Sequence, residues 1–375
     1  MIRETEVLIL GGGPAGLAAA VATARSGLQV ELLERFHPPI DKPCGEGLLP
    51  SGVAALARLG VDGSSLRGRE LRGIRYLDAG VVAEGRFAAG RGRGVRRLEL
   101  HRALAERAEA AGALLCWGVV VEGLAPRGRG RWVAETSEGP VSARWVIGAD
   151  GLSSHVRRWA ELDGPATRWR RFGVRRHYRI APWSDLVEVY WAPGCEAYVT
   201  PVDEEMVGVA MLWSGSREGF DAHLARFPQL EARLAGAEVL SRDRGCGPFH
   251  QRTLRVARGS LALVGDASGY VDAITGEGLG LAFRQAEAVA EALRERDLGL
   301  YERRHRTINR TPELMTRLTL LLARHPALRR RAIRAMADDP RLFSRLLRVL
   351  DGDGRLVSTG VPALLRLGAR CVVPS

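Results

Sequence analysis

Thr5-Glu6-Val7-Leu8-Ile9-Leu10-Gly11-Gly12-Gly13-Pro14-Ala15-Gly16 is the stretch on which the reading of this 375-residue chain turns. Residues 7–10 form a short apolar run that reads as a buried parallel strand. A glycine turn follows, then a helical stretch over 14–26, then a second apolar strand over 30–33 that ends on Glu34 and Arg35. The GxGxxG spacing falls on Gly11, Gly13 and Gly16. Gly11 makes the tight turn, Gly13 lets backbone approach a pyrophosphate, and Gly16 lets the helix pack closely on the strand. Pro14 and Ala15 occupy the first helical turn, where the missing proline N–H costs nothing and the helix N-terminus attracts phosphate. Glu34 stands at the strand end, where an acid accepts the hydroxyls of an adenosine ribose. A lone GxGxxG is weak evidence, but strand, helix and acid in register make a dinucleotide site.

Working outward, the chain is long enough for two or three lobes and a large core. With 46% hydrophobic and 26% charged residues it has the composition of a soluble protein. Its five cysteines are scattered, odd in number and without a CxxC pair, so neither a disulfide framework nor a metal site is expected. No apolar run reaches the length of a transmembrane segment, and no leader with a cleavage site precedes the first strand, so the expected location is the cytoplasm. The net charge of +12 is unevenly placed: residues 301–375 hold sixteen arginines against six acidic residues. Lys42 is the only lysine. Either lysine chemistry is used there or the residue survived by chance.

After Glu34 comes a proline- and glycine-rich loop over 36–50, too long for an ordinary turn and of the kind that carries function. A helix is expected over 51–59, capped by Ser51. Residues 71–95 read as short strands, and residues 95–101 open an amphipathic helix with Leu100, Leu104 and Ala108 on one face and Gly112 as its stop. A strand over 114–121, a hairpin partner around Trp132, and an apolar strand over 143–148 lead into Ala149-Asp150-Gly151. From 166 to 249 the pattern is β, with strands expected over 172–178, 186–191, 196–200 and 206–213. All eight tryptophans lie between Trp117 and Trp213, four of them (Trp169, Trp183, Trp191 and Trp213) in this block. They predict a curved sheet whose apolar face could wall a flat or greasy ligand, with ordinary core packing as the alternative. A third apolar strand, 261–264, ends on Gly265-Asp266, and the turn Thr275-Gly276-Glu277-Gly278 opens a long helix. Residues 301–375 read as helical with interruptions at Pro312, Pro326, Pro340 and Pro362.

Three motifs at these separations resemble the FAD-dependent monooxygenase superfamily built on the p-hydroxybenzoate hydroxylase fold. They are the glycine unit with Glu34, Asp150-Gly151 followed by Ser153 and Arg157, and Gly265-Asp266 followed by Thr275-Gly276-Glu277-Gly278. Within it, Lys42-Pro43-Cys44-Gly45-Glu46-Gly47-Leu48 and the Thr275 turn resemble the geranylgeranyl reductase-like branch, which carries a Cys-Gly pair after the second strand. The resemblance implies an α/β fold: a Rossmann-like FAD-binding domain (1–70, 95–165, 250–300), an inserted, mostly antiparallel β substrate domain (71–94, 166–249) and a basic helical C-terminal region (301–375). It implies that Glu34 binds the adenosine ribose, that Arg97 reaches the FAD phosphates, and that Asp150 and Gly151 shape a turn over the pyrophosphate. Asp266 would hold the flavin-side ribose or ribityl hydroxyls. The N–H groups of Gly276, Glu277 and Gly278 would face the flavin pyrimidine edge, where a helix N-terminus stabilises the negative charge of the reduced ring. Ala273 stands where the branch carries proline, which predicts a looser turn. Tyr198-Val199-Thr200-Pro201 only partly echoes the branch's substrate-strand motif, and the halogenase Trp-x-Trp-x-Ile-Pro motif is absent, so halogenation is not expected.

The leading expectation is a monooxygenase that works through a flavin hydroperoxide on an apolar small molecule. The alternative is reduction of carbon–carbon double bonds, with a nearby acid supplying the proton. Cys44 and Glu46, with Lys42 on the same loop, are the candidate catalytic residues. The plain alternatives are a small buried cysteine and a glutamate that caps the 51–59 helix. FAD is expected to be bound without a covalent link. With no second βαβ unit, NAD(P)H would be a transient reductant or a separate donor would serve. Nucleic acid is not an expected partner; the basic 301–375 region suits an anionic membrane surface or a carrier protein.

Overall fold

The computed structural model describes residues 2–352 apart from 129, 168, 169, 216 and 217, together with Gly368. The expectations at Trp169 and Pro362 lie outside the described residues. The first sheet places Arg3–Leu10 between Val141–Gly148 and Val30–Glu34, all parallel, with Leu261–Leu263 and Leu114–Trp117 as the next strands outward. Val7 to Leu10 are at most 2% exposed, which is why this strand is a continuous apolar run and not an alternating one. The helices Pro14–Arg25, Arg97–Ala110 and Gly278–Arg294 pack on one face through Leu17, Val21, Leu100, Leu104, Phe283 and Val289. The other face is closed by the hairpin Val121–Arg127/Arg131–Thr136 and the helix His155–Trp159. The strand expected over 114–121 is two strands, because Gly118 takes a left-handed φ of +82° and breaks the run at Trp117.

The second sheet runs Arg171–Arg179, Met206–Ser214, Cys195–Asp203, Leu186–Ala192, Gly73–Asp78 and Val81–Arg86, antiparallel except for the Leu186/Gly73 pair. A small third sheet joins Gly47–Leu48 to Gly92–Val95 and Gly68–Leu71. The α/β fold class stands.

Alternation along the Arg171 strand puts Arg171, Arg175 and His177 on one buried face and Phe172, Val174 and Tyr178 on the other. The charged side faces the 36–50 loop and the Gly265 region. The apolar side is filled by Phe220, Phe227 and Leu230. Of the described tryptophans in this block, Trp191 and Trp213 are buried in core clusters and Trp183 is half-buried beside one of them. Trp213 stacks on His223 with ring centroids 4.2 Å apart, Trp191 packs edge-on to Tyr76, and the Trp183 indole N–H donates to Glu188.

Helix ends differ from expectation in two places. The helix predicted over 51–59 is Pro50–Arg58: Pro50 takes the first helical position, so Ser51 lies inside the first turn and caps nothing. Its N–H donates to Asp351 instead, at 2.8 Å. The helix Leu298–Arg324 runs through Pro312, whose side chain is buried. One missing backbone bond is offset there by packing of Met315 and Leu320 into the core. Pro326 and Pro340 do open new helices, Pro326–Asp338 and Pro340–Leu350. The last is strongly amphipathic and buries Leu342, Phe343, Leu346 and Leu347 against the second sheet.

Candidate active site

The three motifs meet at the carboxyl ends of the parallel strands, where ligands bind in open α/β sheets. Gly11 has φ +115°, and a Cβ there would lie 2.5 Å from the Ala149 carbonyl oxygen. A Cβ on Gly16 would lie 1.9 Å from the Gly11 carbonyl oxygen, so that helix can seat only on glycine. Gly12, given no role in the sequence reading, is also crowded: a Cβ would fall 2.7 Å from the Trp117 ring. Gly13 is open, with the Arg97 guanidinium 3.7 Å away as its nearest neighbour. The helix beginning at Pro14 has no side-chain cap and no acid in its first turn, which leaves its N–H groups for an anion. Gly265, at φ +59°, sits over that turn, where a Cβ would meet the Ala15 Cβ at 2.6 Å.

Glu34 accepts from the Gly12 N–H at 2.7 Å and the Phe36 N–H at 3.1 Å, so backbone donors fix its carboxylate at the strand end. Arg35 is exposed and stacks over Phe36 at 4.6 Å. The Arg97 Nε is buried without a hydrogen-bond partner among the described residues. An orphaned guanidinium nitrogen beside an open glycine turn and a free helix N-terminus fits a pyrophosphate. Lys42, placed by the sequence with the catalytic candidates, turns toward the same cleft. Burial lowers its ammonium pKa, and Glu34 and Asp150 pull against that. Asp266 feels both cations: burial raises its carboxyl while Arg97 and Lys42 lower it.

Asp150 holds its turn by accepting from the Ser154 hydroxyl at 2.5 Å and the His155 N–H at 2.7 Å, and Gly151 follows at φ +84°. Arg157 ties this motif to the third by donating to the Ala267 carbonyl at 3.1 Å. Gly276, at φ +72°, has open space where a Cβ would stand. The helix begins at Gly278 with Glu277 as its cap residue. Its first intrahelical bond is Leu281 N–H to Glu277 O, so the N–H groups of Gly278, Leu279 and Gly280 point out of the helix. The turn is not loosened by Ala273. The Ile274 N–H donates to Asp272, and the Tyr198 hydroxyl donates to the Ile274 carbonyl at 2.9 Å.

The second sheet clamps the 36–50 loop across this cleft. Arg175 pairs with Asp41 and donates to the Lys42 carbonyl, and the Thr200 hydroxyl donates to the Gly45 carbonyl at 2.9 Å. Glu46 is buried at a left-handed φ of +58°. It does not cap the Pro50 helix. Its Oε1 accepts the Arg97 N–H at 2.8 Å, which caps the helix that presents Arg97, and its Oε2 lies 2.5 Å from His177 Nε2. That makes Glu46 a positioning residue for Arg97. Cys44 accepts the Glu46 N–H at 3.3 Å, and burial pushes its thiol up. Burial also raises Cys246 to about 12 and lifts Tyr270, and the Cys44 charge would act on both. Cys44, Cys246, Tyr198 and Tyr270 are thus groups that keep their protons at neutral pH.

Sequence reasoning missed Arg171, Arg175 and His177. Arg171, 2% exposed, bridges Asp272 at 3.0 Å and Glu196 at 2.7 Å, so it pins the loop before Thr275 to the sheet. Charges two residues apart along a predicted strand were the available signal.

The profile of the family described as FAD binding domain matches residues 4–299. The chain is 28% identical over 331 residues to digeranylgeranylglycerophospholipid reductase 1 of Methanothermobacter thermautotrophicus, covering 81% of this chain and 82% of that one. It is 31% identical over 329 residues to 6-methylpretetramide 4-monooxygenase of Streptomyces rimosus, covering 79% and 77%. The crystal structure of a flavoprotein/dehydrogenase from Cytophaga hutchinsonii superposes with a TM-score of 0.83 at 20% identity, over 97% of this chain and 96% of that one.

Proposed function

This chain belongs to the FAD binding domain family and is an FAD-dependent oxidoreductase, and from that premise we propose that it reduces carbon–carbon double bonds of an apolar small molecule. The observation that carries the reading is Cys44. It is a half-buried thiol kept protonated, on a loop that Arg175, Thr200 and Glu46 lock across the dinucleotide cleft. Reductive chemistry needs a proton donor at the substrate, and this wall offers thiols and phenols. A relative named as a reductase of an isoprenoid phospholipid agrees with it.

FAD, when bound, supplies hydride transfer. Arg97, Lys42 and the Pro14 helix N-terminus would hold its pyrophosphate, Glu34 its adenosine ribose, and Asp266 the polyol linking pyrophosphate to flavin. The N–H groups at Gly278 stabilise negative charge at the ring's pyrimidine edge. Leu49, Phe249, Tyr270 and Val271, which pack with the second sheet, exclude water from the substrate side. Cys44 holds the proton for the substrate carbon. NAD(P)H serves as a transient hydride donor. The arginines outside the buried face of the Pro340 helix suit an anionic surface that presents such a substrate.

The second reading, monooxygenation, is favoured by the Streptomyces relative. Anaerobic reduction with NADH and NADPH, then admission of oxygen with and without a polyprenyl substrate, separates the two. Oxygen-insensitive saturation of the substrate, lost in Cys44→Ser while flavin reduction persists, supports the reductase. Oxygen-dependent product from the wild type sinks it.

A further inference from the structure

Two cavities meet at one residue. The larger, about 60 Å³, lies between the 265–278 loop and the helix Leu298–Arg324, with Asp266, Thr275, Glu277, Glu313 and Thr316 in its wall. The smaller, about 10 Å³, separates Leu48, Leu49 and Ser51 from Gly276, Glu277 and Arg284. Among the described residues only Glu277 is in both walls. A water needs roughly 10–15 Å³ of such space, so the larger cavity takes a short chain of waters and the smaller about one.

Glu277 is 7% exposed, and its Oε2 has no hydrogen-bond partner among the described residues. Burial pushes its carboxyl up to about 8, against the pull of Arg284 and the Thr275 hydroxyl and with a push from Asp351. At neutral pH it therefore carries a proton. At the other end of the cavity the Glu313 side chain is 47% exposed with Arg317 at 3.8 Å. Its carboxyl is raised by partial burial, against Arg317. Between them the Thr275 and Thr316 hydroxyls lie 3.0 Å apart, and a hydroxyl pair can accept and donate at once. Neither Cys44 nor Cys246 lines this space.

We propose that this cavity is a proton inlet, with Glu313 at its mouth and Glu277 as its inner carrier, opening at the N-terminal end of the Gly278 helix. The proposal rests on the placement of the flavin's pyrimidine edge at that helix end. FAD held there would accept hydride, two electrons with one proton, from a nicotinamide donor, and the charge left over would fall at that edge. A carboxylate at Glu277 would oppose that charge, whereas the neutral acid does not. Glu277 would then pass its proton to that edge, neutralising the charge that the Gly278 N–H groups hold until the proton arrives, and would become a carboxylate beside Arg284. It is reprotonated by cavity water, which draws a proton from solvent past Glu313.

The test is made on the purified holoenzyme. Its reduction potential is measured across about two pH units either side of 8, and proton uptake after rapid photoreduction is followed with an indicator dye. The wild-type potential curve should bend near the Glu277 pKa. Glu277→Gln should remove the bend, whereas a merely structural role would shift the whole curve and keep it. Glu313→Gln should keep the bend and slow proton uptake by about fivefold or more. A bend that survives in Glu277→Gln, or unchanged uptake in Glu313→Gln, overturns the inlet. Should Glu277→Gln fail to hold FAD, the Glu313 measurement decides. Wild-type protein with FAD bound but its spectrum insensitive to ligands of the Cys44 side would count against the proposed function and leave the inlet's own readouts intact.

Discussion

Replacing Arg171 with methionine probes the contact that joins the two halves of the site. The guanidinium is 2% exposed, with Nε 3.0 Å from Asp272 and Nη2 2.7 Å from Glu196. The two carboxylate side chains are 0% and 1% exposed. Methionine fills similar volume but leaves two buried acids without their counter-charge, and breaking a buried pair in this way costs about 3–5 kcal/mol. The loss is pH-dependent. Burial already holds Asp272 at about 6, with Arg171 pulling it down. Without Arg171 the Asp272 carboxyl rises further and holds a proton in the folded state that the unfolded chain has released. A group with a raised folded pKa loses its contribution as pH rises, so the variant should be weakest above neutrality and recover on acidification. The recovery is about 1.4 kcal/mol per pH unit for each proton held only by the folded state. Urea unfolding followed by tryptophan fluorescence reads this, since Trp191 and Trp213 lie in the same sheet. Flavin titration of the apoprotein should show weakened FAD binding, because Asp272 no longer ties the loop before Thr275. The triple variant with Glu196→Gln and Asp272→Asn should regain most of the stability. A loss below about 1 kcal/mol, or one that does not change with pH, would refute the reasoning.

Gly16→Ala, whose Cβ would meet the Gly11 carbonyl, should lose about 1–3 kcal/mol of stability, while Gly13→Val should keep the fold and lose FAD; thermal melts and flavin absorbance on both variants check the contrast. Arg97→Met should raise the FAD dissociation constant on the order of 10–100-fold, the worth of one or two charge-assisted bonds, as measured by fluorescence of released flavin. His305 is buried against Ser268 at 2.8 Å, and burial holds it down at about 4. Its depressed pKa means stability is lost as pH falls from about 6.5 toward 4, by up to roughly 3 kcal/mol. His305→Gln should flatten that part of the stability–pH curve.

The parallel sheet and the dinucleotide turn were legible in the chain because their information is local. Glycines at Gly11 and Gly16 answer contacts of under 3 Å with backbone, and an apolar run at Val7 to Leu10 answers burial on both faces. The clustering of Gly265 and Gly276 with the first motif followed from a resemblance that spans the domain. What the sequence left open was which long side chains cross between layers. Glu46 reads equally as a cap for the helix after it or for any other helix. Only the return of the Arg97 helix beside the loop makes it the acceptor of the Arg97 N–H, 51 positions on. Lys42 was grouped with Cys44 because both lie on the 36–50 loop, yet that loop has no regular strand geometry at these positions and their side chains meet different neighbours, one the motif carboxylates and one Cys246 and Tyr270. Composition left the tryptophan-rich strands open between a ligand wall and ordinary core packing. A strand's two faces are filled by whatever the tertiary fold lays against them, and here helices cover the apolar side while the arginines turn toward the cleft. Periodicity fixes which residues share a face; long-range packing fixes what that face meets.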